Sequence, residues 1–492
     1  MTEGAGARRI AANTLYRAAG DLGSKVATIA LFVVMARKLG DAQFGVFTFA
    51  LSLVTLVTVL ADFGQNTVRV REVARDRAQV HRYFVNNLAL QLVLAVPALA
   101  LAVAIVVVGG KDAQTRAVVA LLGVAVVAEL LRGTCFAVFE AHESFVYIPI
   151  VLITQRLVGN AIAVAALLSG AGVVTVAAIY LGGAVLAFLI ALGLMLRYVV
   201  RPSLRIEPRI WAALMRMAIP LGLAGVFGTV LFRVDTAMLA VYEPKAVVGN
   251  YGAAYRVFEA TLFLGWASGA AFYPVYSRLD HAALSRVFER SIKLVAAISF
   301  PVGVASSVLA RPAIHLFYGS GYDQAVGALR LLGPAIGFYG VAYLSGLLLA
   351  SQHRQRILTV IMGVAAIENI LGNLVLIPAF SLNGAAGGTS ISQVLVAAPL
   401  LIACSSAVGG VHWTRMLVGP AIASAVAAGV MVALVGVPLL SLFVGALAYL
   451  LVLVAFERLF FPDDLRGMME LVRRPPDVPV PHEFAPTSHP DL

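Results

Sequence analysis

The chain has 492 residues, of which 61% are hydrophobic and 12% charged, and its formal net charge is +11. Soluble domains carry roughly 25% charged residues, so this composition disfavours a soluble enzyme or a nucleic-acid-binding protein and requires a membrane protein. A spanning helix needs about 20 apolar residues, so the chain accommodates on the order of 12–14 spans and no sizeable soluble domain.

Long apolar runs between charged or Gly/Pro-containing stretches predict an all-α polytopic membrane protein with about 14 transmembrane helices. The predicted spans, numbered 1 to 14 in chain order, are 13–37, 42–64, 84–108, 116–138, 146–169, 173–198, 214–240, 246–274, 288–312, 324–350, 356–380, 385–406, 415–435 and 438–457.

The positively charged residues are distributed unequally between the two predicted membrane faces. Six fall on one face, namely Arg37, Lys38, Lys111, Arg116, Lys245 and Arg311. About 24 fall on the other, among them Arg132, Arg286, Arg290, Lys293, Arg354, Arg356 and Arg415. By the positive-inside rule, both termini and the even-numbered loops are cytoplasmic. The face with six cations is called the predicted outer face below.

The two halves of the chain resemble each other at fixed offsets. Gly45, Phe47 and Ala50 match Gly249, Tyr251 and Ala254 at an offset of 204, as Pro97 matches Pro301, and Gly159–Asn160 matches Gly372–Asn373 at an offset of 213. Six spans separate the copies, so the repeat is parallel, about an axis along the membrane normal. Two bundles that rock about a site between them are typical of transporters.

The spans and the repeat divide the chain into six segments. They are a cytoplasmic tail at 1–12, a six-helix bundle at 13–198, a cytoplasmic linker at 199–213, a second six-helix bundle at 214–406, two additional helices at 407–457, and a cytoplasmic, largely disordered tail at 458–492. The first bundle is called the first repeat below and the second bundle the second repeat.

Ionisable residues inside spans are costly and therefore mark candidate sites. The predicted substrate-binding residues are Arg17, Lys25, Arg156, Arg233, Arg256, Asn369 and Asn373. Lys25, Arg156 and Arg256 fall near the midplane, where a cationic cavity would bind phosphate oxygens. The alternative is a set of internal salt bridges that cross-link helices. Arg17 and Arg233 fall nearer an interface, where snorkelling also explains them.

Carboxylates inside the spans are candidates for coupling or gating. They are Glu129, Asp235, Glu259 and Glu368, and snorkelling is the leading explanation for Asp235 because it lies nearer an interface. Arg256 and Glu259 are three residues apart and share a helical face. Coupling to protons, sodium or the membrane potential stays open, and no cofactor or metal ligand pattern is predicted.

The sequence predicts a transporter that is not an enzyme. The eight His residues are scattered and no nucleotide-binding loop is present. Cys135 and Cys404 lie in apolar runs and are predicted to be buried without a structural or catalytic pairing.

Several motifs in chain order resemble polysaccharide flippases of the multidrug/oligosaccharidyl-lipid/polysaccharide exporter superfamily. They are Arg37-Lys38-Leu39-Gly40 with Phe44-Gly45, Phe232-Arg233-Val234-Asp235, Tyr251-Gly252-Ala253-Ala254-Tyr255-Arg256, Tyr318-Gly319, Asn373 with Ile377-Pro378, and Asn383-Gly384-Ala385-Ala386. The resemblance covers spans 1–12. In relatives that flip the peptidoglycan precursor, cavity arginines lie in spans 1 and 8. Arg17 and Arg256 match them, whereas Lys25 replaces an arginine.

The resemblance implies two six-helix bundles with two extra helices, in the bacterial plasma membrane. It implies alternating-access transport of a polyprenyl-pyrophosphate-linked oligosaccharide to the outer leaflet for cell-surface polysaccharide synthesis. Expected partners are this substrate, membrane lipids, and glycosyltransferases or a polymerase of the same pathway, with a functional monomer and no nucleic acid. The alternatives are an ion-coupled drug/cation antiporter of the same superfamily and a membrane glycan polymerase or ligase.

Overall fold

A computed structural model describes residues 3–63, 65, 80–142, 144, 146–199 and 205–462. For residues 3–26, and for 81, 220, 221, 281 and 282, it describes the backbone alone. The described chain is helical and contains no β-strand. The tail expected to be disordered lies mostly outside the described residues.

Fifteen α-helices follow in chain order within the described ranges. They are α1 (Glu3–Asp62), α2 (Val80–Val108), α3 (Ala113–Ala141), α4 (Tyr147–Ile153), α5 (Gly159–Leu168), α6 (Val173–Tyr198), α7 (Trp211–Tyr242), α8 (Lys245–Thr261), α9 (Phe263–Tyr276), α10 (His281–Val308), α11 (Ala310–Tyr318), α12 (Asp323–Ser351), α13 (Gln355–Val408), α14 (Gly419–Ala433) and α15 (Pro438–Phe460). Short π-helical turns at Thr154–Val158 and Thr414–Val418 join α4 to α5 and lead into α14.

Two of the long helices are broken by one residue each. Gly40 in α1 has φ 73° and ψ 174°, a conformation that glycine adopts at little cost. Ser381 in α13 has φ 55° and ψ −135°. Each break turns the chain back across the membrane, so α1 supplies spans 1 and 2, and α13 supplies spans 11 and 12.

The predicted all-α polytopic fold is confirmed. Among the described residues, 11 helices are long and apolar enough to cross a membrane. Since α1 and α13 each contain two spans, and α8 with α9 runs in the place of predicted span 8, the structure agrees with a count of about 14. The first helix starts at Glu3 rather than near residue 13, because the alanines and arginines of this segment favour helix.

The predicted repeat is visible where the two halves cross. A Cβ added to Gly45 would lie 1.9 Å from the Lys245 carbonyl oxygen, and one added to Gly249 would lie 2.0 Å from that of Asp41. At the offset of 204, Asp41 corresponds to Lys245 and Gly45 to Gly249, so each helix presents the same pair of positions to the other. A reciprocal contact of this kind forms when two copies are related by a two-fold axis. It therefore supports the parallel repeat.

The largest hydrophobic cluster joins the two repeats at the predicted outer face. Phe44 of α1 lies with its ring centroid 6.2 Å from that of Tyr322 and 6.4 Å from that of Tyr318. The Tyr322 hydroxyl donates to the Ala36 carbonyl oxygen at 2.9 Å. These contacts close the outer end of the space between the repeats.

Three of the six predicted outer-face cations also bridge the repeats. Arg37 donates to the Phe317 carbonyl oxygen at 2.8 Å, and Lys111 donates to that of Ala240 at 2.7 Å. Lys245 pairs with Asp112, with 2.8 Å between Nζ and Oδ1. The cations that depart from the positive-inside pattern therefore have a structural use.

Candidate functional site

A carboxylate held between two arginines lies in the second repeat. Glu259 of α8 pairs with Arg233 of α7 at 2.8 Å, and with Arg256 one turn earlier on its own helix. Side-chain exposures are 20% for Arg233, 12% for Arg256 and 18% for Glu259. The predicted shared face of Arg256 and Glu259 is confirmed, and two cations against one carboxylate leave this cluster with a net positive charge.

Arg256 also reaches the first repeat. Its guanidinium carbon lies 3.9 Å from the ring centroid of Phe32 in α1, a cation–π contact. Arg256 is thus at the junction of the two repeats, where an alternating-access transporter places its site. The arginine cluster, as Arg233, Glu259 and Arg256 are called below, combines a spare positive charge with this position.

The interpretation of Arg233 and Asp235 as snorkelling residues is wrong. Arg233 is held by Glu259, and Asp235 is fully buried. The Asp235 carboxylate accepts from the Tyr251 hydroxyl, from Thr389 Oγ1 at 3.0 Å and from the Thr236 backbone N–H at 2.6 Å. Depth along a helix does not reveal lateral partners, and here neighbouring helices satisfy both charges.

A group of hydrogen-bonded polar side chains connects the two parts of α13, on either side of the break at Ser381. Ser392 donates to Glu368 at 2.8 Å, and Asn369 donates to Ser392 at 2.9 Å. Asn373 in turn donates to Asn369 at 3.1 Å, and its own buried Oδ1 has no hydrogen-bond partner in the described part of the chain. The predicted neighbours Glu368, Asn369 and Asn373 therefore form one connected group.

The first repeat contains its own charge cluster, centred on Glu129 of α3. Arg156 approaches it to 3.6 Å, Gln155 donates to it at 3.1 Å, and the Tyr180 hydroxyl donates to it at 3.2 Å. The π-helical turn at Thr154–Val158 carries both Gln155 and Arg156. Such turns are frequent at functional sites.

A cavity with about 320 Å³ of empty space, part of it open to the surroundings, adjoins this cluster. Arg156, Tyr180, Asn160 and Leu31 are among its lining residues, and Asn160 Nδ2 is buried with no hydrogen-bond partner among the described residues. The cavity therefore offers one cation and one unused donor, beside a carboxylate that is already paired.

The structure does not bring Arg156 of the first repeat together with Glu368 of the second repeat. Arg156 pairs with Glu129 within the first repeat, and Glu368 bonds to Ser392 within the second. Arg17 and Lys25 lie on α1, but their side chains are outside the described residues, so their predicted place in the cavity stays a prediction.

Sequence reasoning missed several members of these groups. Arg132, predicted only as a cytoplasmic-face cation, donates to Gln155 and belongs to the Glu129 cluster. Its spacing of three residues from Glu129 was a usable signal. Tyr180, Tyr251 and Thr389 gave no comparable signal, because hydroxyl groups in apolar runs are common. Cys135 and Cys404 are buried, as predicted, and neither forms a disulfide within the described residues.

Comparison with solved structures shows the same fold in known transporters. "Lipid II flippase MurJ, inward closed conformation" matches with a TM-score of 0.76 and 12% identity, covering 90% of this chain and 99% of that one. An inward-facing multidrug resistance MATE family transporter of the MOP superfamily matches with a TM-score of 0.63 and 14% identity, covering 78% and 95%. The multidrug transporter DinF-BH gives 0.57 and 16%, covering 82% and 96%.

The fold of this multi-pass membrane protein is thus the one found in a solved flippase and in solved MATE transporters. The polysaccharide biosynthesis protein family model matches residues 10–280, more than half of the chain, and the MatE model matches residues 220–375. The chain belongs to the polysaccharide biosynthesis protein family. Comparison with curated protein sequences gives no match.

Proposed function

We propose that this protein is a flippase for a polyprenyl-pyrophosphate-linked oligosaccharide. It carries the lipid-linked sugar from the cytoplasmic to the outer leaflet of the bacterial plasma membrane, for cell-surface polysaccharide synthesis. Both termini lie in the cytoplasm, and a monomer suffices for transport. The observation that carries the proposal is the arginine cluster at the junction of the repeats.

The chemistry of the cluster fits a diphosphate. A guanidinium group binds phosphate oxygens through two parallel hydrogen bonds, and Arg233 and Arg256 present two such groups on adjacent helices. Glu259 neutralises one of the two charges. A bound diphosphate would replace Glu259 as the partner of the arginines, which links substrate binding to rearrangement of α7 and α8.

Lys25, and Arg17 about two turns nearer the cytoplasmic end of α1, complete the cationic cavity in this proposal. Both lie on α1, the helix that also supplies Phe32 beneath Arg256. A lysine binds phosphate as a point charge, with less directional hydrogen bonding than arginine. In the first repeat, Arg156 supplies a further cation.

Coupling is assigned to the carboxylates. Asp235 is the strongest candidate for a coupling proton or sodium ion, because it is fully buried and bonded to two hydroxyl groups. Asn369 and Asn373 lie on α13 with Glu368, and Asn373 has an unused acceptor. Glu129 is the corresponding candidate in the first repeat. The membrane potential is a further driving force, since the substrate is anionic.

Ion-coupled drug/cation antiport is the second candidate. The MatE model matches residues 220–375, which contain Asp235 and Glu259. A cation antiporter needs a net acidic cavity, however, and the arginine cluster carries net positive charge. A membrane glycan polymerase or ligase is disfavoured by the solved relatives of the same fold, which are a flippase and transporters.

The cellular test replaces Arg256 and Lys25 by alanine, singly and together. Export of the glycan should be abolished while the protein remains in the membrane, because diphosphate binding loses its cations. Arg354→Ala, at an exposed position in the loop before α13, is the control and should export normally. Full export by the double variant, or drug resistance conferred by the wild-type protein, would refute the proposal.

A further inference from the structure

A second cavity, outside the arginine cluster, collects four cations. It contains about 260 Å³ of empty space, part of it open to the surroundings, and is lined by Arg286, Glu289, Arg290, Lys293 and Arg415. The first four residues follow helical spacing on α10, and Arg415 lies on the π-helical turn that leads into α14. Two elements therefore line the cavity, and the end of α15 lies beside it, where Glu457 pairs with Lys293.

Two of the charged side chains that line the cavity, Lys293 and Glu289, already have partners. Lys293 Nζ lies 2.7 Å from Glu457 Oε2 of α15, and both side chains are nearly fully buried. Glu289 accepts from the backbone N–H of His412 at 2.7 Å and contacts its ring nitrogen at 3.0 Å. Within the described residues, Glu289 is the only carboxylate that lines the cavity, and it is thus bonded to the loop at His412.

The two remaining arginines of α10 have no such partner. Arg286 is exposed and Arg290 is half-buried, and neither pairs with a carboxylate within the part of the chain that the structure describes. Phe461 provides an aromatic wall, with its ring centroid 4.7 Å from Lys293 Nζ and 6.0 Å from the Arg415 guanidinium carbon. The cavity is therefore net positive and shaped by fixed groups.

The position of the cavity identifies its surroundings. Helix α15 ends at Phe460, and the turn that leads into α14 starts at Thr414. These two ends of transmembrane segments place the cavity at a membrane face. All four cations belong to the set predicted to be cytoplasmic. Leu459 and Phe460, which are 77% and 63% exposed, extend an apolar surface from the cavity along α15.

We propose that this cavity binds the phosphate headgroup of an anionic phospholipid of the cytoplasmic leaflet. Arg286 and Arg290 contact the phosphate oxygens, and the acyl chains lie against the exposed end of α15. Basic pockets between transmembrane helices on the cytoplasmic side bind such headgroups. The bound lipid ties α14 and α15, which lie outside the repeat, to α10.

The test uses the full-length purified protein with Arg286→Gln and Arg290→Gln combined. Its control combines Arg354→Gln and Arg356→Gln, two exposed arginines of the same predicted face, which removes equal charge. Native mass spectrometry measures binding of phosphatidylglycerol and phosphatidylcholine, and thermal unfolding in detergent measures the stabilisation by each lipid.

Wild-type protein should bind phosphatidylglycerol more tightly than phosphatidylcholine by about tenfold or more. The Arg286/Arg290 variant should bind phosphatidylglycerol about 30-fold more weakly than wild type, and the Arg354/Arg356 control should bind like wild type. Equal loss in both double variants, or none in the first, would overturn the proposal.

Two further measurements distinguish a site that depends on charge from a structural defect, and a lipid headgroup from free phosphate. Combined Arg286→Lys and Arg290→Lys retains the charge, so this variant should keep most of the lipid preference, and failure to do so in a folded protein contradicts a phosphate site built on charge. Inorganic phosphate alone should raise the unfolding midpoint of wild type no more than that of the Arg286→Gln, Arg290→Gln variant. A rise that this variant loses, and that equals the rise with phosphatidylglycerol, would assign the cavity to free phosphate and overturn the lipid assignment.

Discussion

At the scale of single residues, the described charged side chains of the two clusters each contact an opposite charge or a neutral hydrogen-bonding group. Glu259 is shared by Arg233 and Arg256, and Glu129 is shared by Arg156 and two neutral donors. An isolated charge in hydrocarbon costs several kcal/mol, so each cluster stabilises its members. Removal of one member leaves the others uncompensated, and this makes the clusters open to direct test.

Glu259→Gln should destabilise the empty protein and make it respond to diphosphate. The change leaves two largely buried guanidinium groups without a carboxylate, a loss of about 3–5 kcal/mol by analogy with other buried pairs. We expect a lower midpoint of thermal unfolding in detergent, which added pyrophosphate partly restores. Glu207→Gln, in an exposed pair with Arg82, is the control and should change stability by about 0–1 kcal/mol. An unchanged midpoint, or equal restoration of both variants by pyrophosphate, would contradict the cluster's assignment.

Asp235→Asn should separate coupling from binding. The amide keeps the shape of the side chain but replaces one acceptor oxygen by a donor that faces Tyr251 or Thr389. We expect the transport rate to fall by about tenfold or more and to lose its dependence on the sodium or pH gradient. Thr389→Ser retains the hydroxyl and should retain the dependence. Wild-type gradient dependence in Asp235→Asn would remove this residue from the coupling mechanism.

At the scale of helices, the two repeats are locked together where α1 and α8 cross. Gly45 and Gly249 let the two backbones approach within contact distance, and Thr48 packs against Gly252 one turn further in. The same outer end carries the Lys245–Asp112 pair and the Arg37 contact with α11. An access change must therefore separate helices at this crossing.

Gly249→Ala should loosen the outer end. The new Cβ would lie 2.0 Å from the Asp41 carbonyl oxygen, so the helices must move apart. In a Thr48→Cys background, we expect a membrane-impermeant maleimide to label position 48 faster than in the parent. Gly182→Ala meets no atom within 4 Å and should not change the labelling rate. Equal rates in the two variants would show that the crossing does not close the outer end.

Asp112 should titrate below the ordinary range of an aspartate. Its hydrogen bonds with Lys245 and then Thr115 lower the pKa of this carboxyl. Because the pKa is lowered in the folded protein, the pair contributes stability above the ordinary value of about 4 and loses it as the pH falls through the lowered value. Infrared titration, with Asp112→Asn to assign the band, should show the midpoint rising in Lys245→Met. A midpoint that does not move would contradict the observed pairing.

At the scale of the whole molecule, the fold was predictable because hydropathy and chain length are strong signals in a membrane. The offset matches at Gly45 and Gly249 also predicted the repeat, and those two residues form its crossing. The sites were less predictable. Arg256 and Glu259 were paired correctly because they lie on one helix, where spacing fixes geometry.

Contacts between helices were not predictable from spacing. Asp235 was assigned to an interface because its depth was estimated along one helix, whereas its partners Tyr251 and Thr389 lie on two others. Arg132 was assigned to the cytoplasmic face although its spacing places it on the same helical face as Glu129, because its partner Gln155 lies on another element. Lateral packing of helices decides these positions, and one sequence carries little information about it.

The flippase assignment is tested most directly by transport of a defined substrate. Purified protein is reconstituted in liposomes with a fluorescent polyprenyl-pyrophosphate-linked oligosaccharide, and a membrane-impermeant reagent reports the outer-leaflet fraction. The account predicts that wild-type protein accelerates the exchange of this lipid between leaflets and that Arg256→Ala does not, while Arg354→Ala matches wild type. Exchange no faster than in protein-free liposomes, or full activity of Arg256→Ala, would contradict it.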